Sequence, residues 1–118
     1  GFVFAPTFKD YRFHGGVDIK GSEGASVKCM LKGVVENITV SEGEGHTVTV
    51  NHGGGWKSVC SHMDTLKVRK NTALEAGDVL GFLGAPGEFE KAEGCHLHLE
   101  ILHNGEKVDP LEYLQYKE

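Results

Sequence analysis

Apolar and polar residues alternate with period two through Cys95-His96-Leu97-His98-Leu99-Glu100-Ile101, the pattern of a strand with one buried face. Leu97, Leu99 and Ile101 are assigned to the core, so His96, His98 and Glu100 share the opposite face. The same period recurs upstream. Over residues 33–40, Val34, Ile38 and Val40 fall on one face with Glu36 interrupting, and over 46–51 Val48 and Val50 point inward. The turn Ser41-Glu42-Gly43-Glu44-Gly45 between them predicts a β-hairpin. Over residues 56–63, alternation puts Trp56, Ser58, Cys60 and His62 on one side.

Shorter segments complete the pattern. Residues 25–30 read as a short strand, and 66–84 as two strands around the turn Glu75-Ala76-Gly77-Asp78. Asn104-Gly105 is a strong hairpin-turn signal. Asp109 as cap and Pro110 in the first turn predict a short C-terminal helix over 111–115. Residues 1–4 form an opening strand ended by Pro6, 7–13 a loop pinned by Phe8, Tyr11 and Phe13, and 85–94 a polar loop. His46 and His52, at strand ends beside glycine, and His103, beside the Asn-Gly turn, are expected on the surface. The class is all-β.

Composition narrows what such a domain does. The 118 residues fit a single domain, residues 1–118, with a modest core. A formal net charge of −5 leaves no basic stripe to neutralise phosphates, which argues against a nucleic-acid partner. No apolar run approaches membrane-spanning length. Cys29, Cys60 and Cys95 have no metal-motif spacing. The chain begins at Gly1 without an initiator Met or a signal peptide, and is read as a fragment of a longer protein.

Seven histidines in so short a chain is a high count, and His14, His62, His96 and His98 fall in patterned places. In His14-Gly15-Gly16-Val17-Asp18-Ile19, the adjacent glycines disfavour a helix, so the spacing is that of a strand. His14, Gly16 and Asp18 then share a face, with Val17 and Ile19 inward, and Gly16 leaves open space between two ligand-type residues. His14, Asp18 and one histidine of the His-x-His pair fit a zinc set. Two histidines and a carboxylate leave a fourth position open, as in catalytic rather than structural sites. The other histidine of the pair, with His62, is then suited to take a proton and to hydrogen-bond a tetrahedral intermediate. A closed structural site needs a fourth protein ligand instead, and Cys60 has the parity to approach His62.

The order His-x-x-x-Asp, then a strand-end histidine, then His-Leu-His-Leu-Glu resembles the LytM and lysostaphin-like zinc endopeptidases, which cleave peptide cross-links in bacterial peptidoglycan. The resemblance runs from about Phe13 to Tyr113 and includes Ala76-Gly77-Asp78-Val79-Leu80-Gly81 and Val108-Asp109-Pro110. It implies a curved antiparallel sheet, barrel-like, crossed by a groove that residues 5–13, 41–45 and 85–94 wall. It implies one zinc ion held by His14, Asp18 and His98, with His62 and His96 as the catalytic histidines. The substrate implied is a peptidoglycan stem or bridge peptide, and the location is the cell envelope, outside the cytoplasm, in a membrane-anchored parent protein. Departures are Cys60, where the family usually has an aromatic residue, Met63, where it has Leu, and a longer 85–94 loop. That loop and the tail Val108-Asp109-Pro110-Leu111-Glu112-Tyr113-Leu114 resemble the stage II sporulation protein Q branch, in which the domain docks another protein. The alternative expectation is therefore a zinc-binding, catalytically weak interaction domain with a sporulation or other cell-envelope partner.

Overall fold

The computed structural model describes residues 16–42, 45–84 and 96–110. Nine strands account for most of them: β1 (Val17–Lys20), β2 (Ser26–Lys28), β3 (Gly33–Ser41), β4 (Gly45–Gly53), β5 (Trp56–Leu66), β6 (Ala73–Leu74), β7 (Val79–Leu83), β8 (His96–His103) and β9 (Glu106–Val108). All pairings are antiparallel. The main path runs β1-β8-β5-β4-β3-β6, with β7 also on β5, β2 on β7 and β9 on β8. Among the described residues the path has two ends, so the sheet is open rather than closed into a barrel. Residues 1–15, 85–95 and 111–118, which carry the expected opening strand, two of the three groove walls and the terminal helix, lie outside the described residues, as do 43 and 44 of the third wall.

One face of the central strands is the core. Ile19, Val48, Val50, Leu97 and Leu99 are fully buried, and Ile101 nearly so, as alternation on β1, β4 and β8 requires. β2 and β7 add Val27, Leu80 and Leu83. The tight turns fall where glycine or asparagine permits a left-handed backbone: Gly53, Gly54 and Gly55 link β4 to β5, and Asn104 and Gly105 link β8 to β9.

The alternation expected for β3 is corrected by a bulge. The register steps from Val35↔Val50 to Asn37↔Thr49, so Glu36 is an extra residue in the ladder. Val35 is therefore buried while Val34 is 44% exposed. Beyond the bulge Ile38 packs against the core. Val40 keeps its parity but extends past the core toward the hairpin end, and is 69% exposed.

Candidate metal and catalytic site

The polar face of β8 and its neighbours assembles the site. Antiparallel pairing sets Asp18 of β1 directly across from His98 of β8, where cross-strand side chains meet. Asp18 Oδ1 lies 2.8 Å from His98 Nδ1. Gly16 makes this possible. A Cβ there would stand 2.8 Å from both Cε1 and Nε2 of His98 and 2.9 Å from the Leu99 carbonyl oxygen, so the space that glycine leaves is filled by the imidazole.

The far side of the ring is also held. Glu100 Oε2 lies 3.1 Å from His98 Nε2, and Lys107 Nζ of β9 lies 3.5 Å from Glu100 Oε1. Ionised carboxylates only accept hydrogen bonds, so a protonated nitrogen of this ring donates toward the carboxylate it faces. The hydrogen bond to Asp18 raises the His98 pKa, burial opposes it, and the bond to Glu100 raises it further. The same bond lowers the Asp18 carboxyl, against the cost of partial burial.

His62 joins this face through a break in the β5 ladder. The β5–β8 register ends at Ser61↔His98, and the β4–β5 register skips between His46↔Met63 and Val48↔Cys60. At the break His62 adopts φ 76°, a left-handed conformation uncommon for a side-chain-bearing residue. Its carbonyl accepts a hydrogen bond from the Gly84 N–H at 3.3 Å. The ring lies 5.0 Å from that of His96, tilted by 41°, and 6.3 Å edge-on from that of His98. Beside it, Thr47 Oγ1 donates to Ser61 Oγ at 3.1 Å.

One expectation from alternation is corrected here. His62 does not share a face with Cys60 and Ser58. Cys60 is 1% exposed in the hydrophobic core, and burial pushes its thiol up to about 12, so it does not supply a fourth ligand. His52 is no simple surface residue: its ring lies 2.8 Å from the hydroxyl of buried Ser58 and 3.0 Å from the Lys32 carbonyl. His103 stacks on Trp56, with centroids 4.0 Å apart and planes within 12°. Alternation places Glu100 on the histidine face, but its bond to His98 depends on side-chain reach that period two does not specify.

Asp18, His62, His96 and His98 are thus brought together. His14 lies outside the described residues. Among the described residues no group of three candidate ligands surrounds one point, but two do converge: a carboxylate oxygen and an imidazole nitrogen, 2.8 Å apart. Two donors on one tetrahedral zinc ion stand about 3.3 Å apart, so a small opening of this pair admits the metal. The nitrogen–oxygen donor chemistry fits zinc.

The sequence profile of Peptidase family M23 matches residues 12–110. The chain is 28% identical over 111 residues to the DD-carboxypeptidase/endopeptidase Mpg of Neisseria meningitidis serogroup B, covering 94% of this chain and 25% of that protein. It is 32% identical over 100 residues to the murein hydrolase activator NlpD of Escherichia coli, covering 84% of this chain and 25% of that protein. The chain therefore spans about a quarter of the length of these curated relatives. A zinc-containing peptidase from Vibrio cholerae superposes with a TM-score of 0.75 at 26% identity, over 88% of this chain and 31% of that one. The sporulation branch is matched in fold alone: a chain of the SpoIIQ–SpoIIIAH pore-forming complex has a TM-score of 0.71 at 22% identity, over 84% of this chain and 63% of that one.

Proposed function

The chain belongs to peptidase family M23, and on that premise we propose that it is a zinc-dependent endopeptidase that hydrolyses peptide cross-links of bacterial peptidoglycan. The observation that carries this reading is the convergence of Asp18 and His98 beside the paired rings of His62 and His96. His14, Asp18 and His98 would hold a single zinc ion. When bound, zinc in such a set acts as a Lewis acid that polarises a carbonyl and acidifies water.

The chain's own groups supply the rest. Asp18 and His98 fix the metal-side edge of the site from paired strands. His62 and His96 present two imidazoles with ring centroids 5.0 Å apart. One is suited to accept a proton from the attacking water, and the other to donate a hydrogen bond to the oxygen on which charge develops. Next to His62 in β5, Ser61 is held by a hydrogen bond from Thr47. A peptidoglycan substrate implies a cell-envelope location outside the cytoplasm, the compartment suggested by the likeness to a murein hydrolase activator.

A second reading is favoured by one finding, the likeness to a murein hydrolase activator. In it the domain binds zinc but turns over little or no substrate, and acts by docking another envelope or sporulation protein. Digestion of purified peptidoglycan with and without a chelator separates the two. The endopeptidase reading expects chelator-sensitive release of soluble muropeptides. Stoichiometric zinc with no release, from walls of differing cross-link type, contradicts it and leaves the docking reading.

A further inference from the structure

The Asn104-Gly105 turn, six residues beyond His98, controls a contact that reaches back to it. Both residues have positive φ, 53° and 84°, and they set the β8–β9 register Leu102↔Lys107. Lys107 thereby falls diagonal to Glu100 on the same face, within reach of a long side chain. Its ammonium lies 3.5 Å from Oε1 of Glu100, while Oε2 lies 3.1 Å from His98 Nε2. With one oxygen drawn to each partner, the carboxylate has a single favoured rotation. On the other flank, the ring fills the space above Gly16, where a Cβ would stand 2.8 Å from its Cε1 and Nε2.

We infer that Glu100, braced by Lys107, is a positioning residue that holds the His98 ring with Nε2 turned away from the metal position and Nδ1 turned toward it, beside Asp18. The inference rests on the zinc reading above. An imidazole rotated by half a turn about its Cβ–Cγ bond offers a different edge at a different depth, and a hydrogen bond at the far nitrogen selects between the two. Outer carboxylates that orient a ligating histidine typically change metal affinity by about 10–100-fold. Glu100 touches neither substrate nor metal in this arrangement and acts only through His98. The brace explains a role for β9, a three-strand-residue hairpin arm that adds little to the core: of β9, only Val108 is more than marginally covered.

Zinc affinity, measured by competition with a chromogenic chelator, tests this in the wild type, Glu100→Ala, Glu100→Gln and Lys107→Met. Proton–nitrogen spectra of the histidine side chains accompany it, on the metal-free and zinc-loaded forms. The expected result is a wild type whose zinc-loaded His98 keeps a slowly exchanging Nε2–H. Glu100→Ala should bind zinc about 10–100-fold more weakly and lose that resonance. Glu100→Gln, which keeps an accepting oxygen, should retain the resonance and most of the affinity, and Lys107→Met should show a smaller loss than Glu100→Ala. Wild-type affinity in Glu100→Ala, or zinc on Nε2 of His98, overturns the inference while leaving the zinc site intact. A wild type that binds no zinc overturns the zinc reading and this inference with it. Should Glu100→Ala fail to fold, the resonance and affinity in Glu100→Gln and Lys107→Met decide.

Discussion

His62 and His96 stand with ring centroids 5.0 Å apart because the β5 ladder breaks between them. Continued regularly from Ser61↔His98, the register would set His62 opposite Leu97, on the core face. The left-handed backbone at His62, φ 76°, turns the ring to the polar face instead. Met63 then returns to the core, 1% exposed. Strain of this kind costs about 1–3 kcal/mol and concentrates at functional sites.

A prediction follows for backbone energetics. At position 62, glycine adopts positive φ without a Cβ clash, whereas alanine does not. His62→Gly should therefore be more stable than His62→Ala by about 1 kcal/mol, the reverse of their order in an ordinary strand. Denaturant unfolding of the two variants checks this. Equal or inverted stabilities contradict the assigned conformation.

Gly16→Ala should act on His98. The added Cβ would stand 2.8 Å from two ring atoms and 2.9 Å from a backbone oxygen, closer than real contacts allow, so ring or strand must shift. The expected outcome is a stability loss of about 1–3 kcal/mol, typical of overpacking, together with weakened zinc binding. Zinc titration monitored alongside thermal unfolding measures both.

The Asp18–His98 pair makes the stability of the metal-free protein depend on pH at two edges. The Asp18 carboxyl is lowered from its ordinary value of 3.8, chiefly by the His98 hydrogen bond. Its contribution is present above that value and is lost as pH falls through the lower, folded-state value. His98 is raised from its ordinary value of 6.5, chiefly by the Asp18 hydrogen bond. Its contribution is complete below 6.5 and is lost as pH rises through the higher, folded-state value. The pair therefore stabilises most between the two ordinary values. Partial exposure limits the effect to about 1 kcal/mol or less. Unfolding of chelator-treated protein across pH should show both declines in the wild type; Asp18→Asn should lose the acid-edge decline and keep only part of the alkaline one, because Glu100 also raises His98.

Cys60 and Cys29 should resist alkylation in the folded protein. Both are at most 2% exposed, and burial raises both thiols, that of Cys60 to about 12, so thiolate is scarce at neutral pH. Peptide mapping after iodoacetamide treatment should find both unmodified until denaturant is added. Cys60→Ala should also retain zinc, since its sulfur faces the core; loss of the metal would restore a closed, cysteine-containing site.

Where one face is buried throughout, the sequence pattern carried the structure. β8 and β1 follow alternation, so Leu97, Leu99 and Ile19 are buried, and the pairing of the two strands sets His98 across from Asp18. Alternation failed wherever an extra residue enters a ladder. The bulge at Glu36 exchanges Val34 for Val35 in the core, and the break at His62 separates it from Cys60. Neither Val34-Val35-Glu36-Asn37 nor Cys60-Ser61-His62-Met63 carries a glycine or other local signal of a bulge, because these irregularities are fixed by the neighbouring strands. Trp56–His103 and His52–Ser58 likewise depend on non-local register. The role of His14 and the helix over 111–115 fall outside the described residues.

The most direct test pairs two substitutions and two readouts, bound zinc and muropeptide release from peptidoglycan. His98→Ala should lose both, because it removes the nitrogen that faces Asp18. His62→Ala should keep zinc and lose release by about 100-fold or more, the scale of a missing proton-transfer group. If both variants keep zinc and wild-type release, the division of this face into a metal edge and a proton-handling edge is wrong.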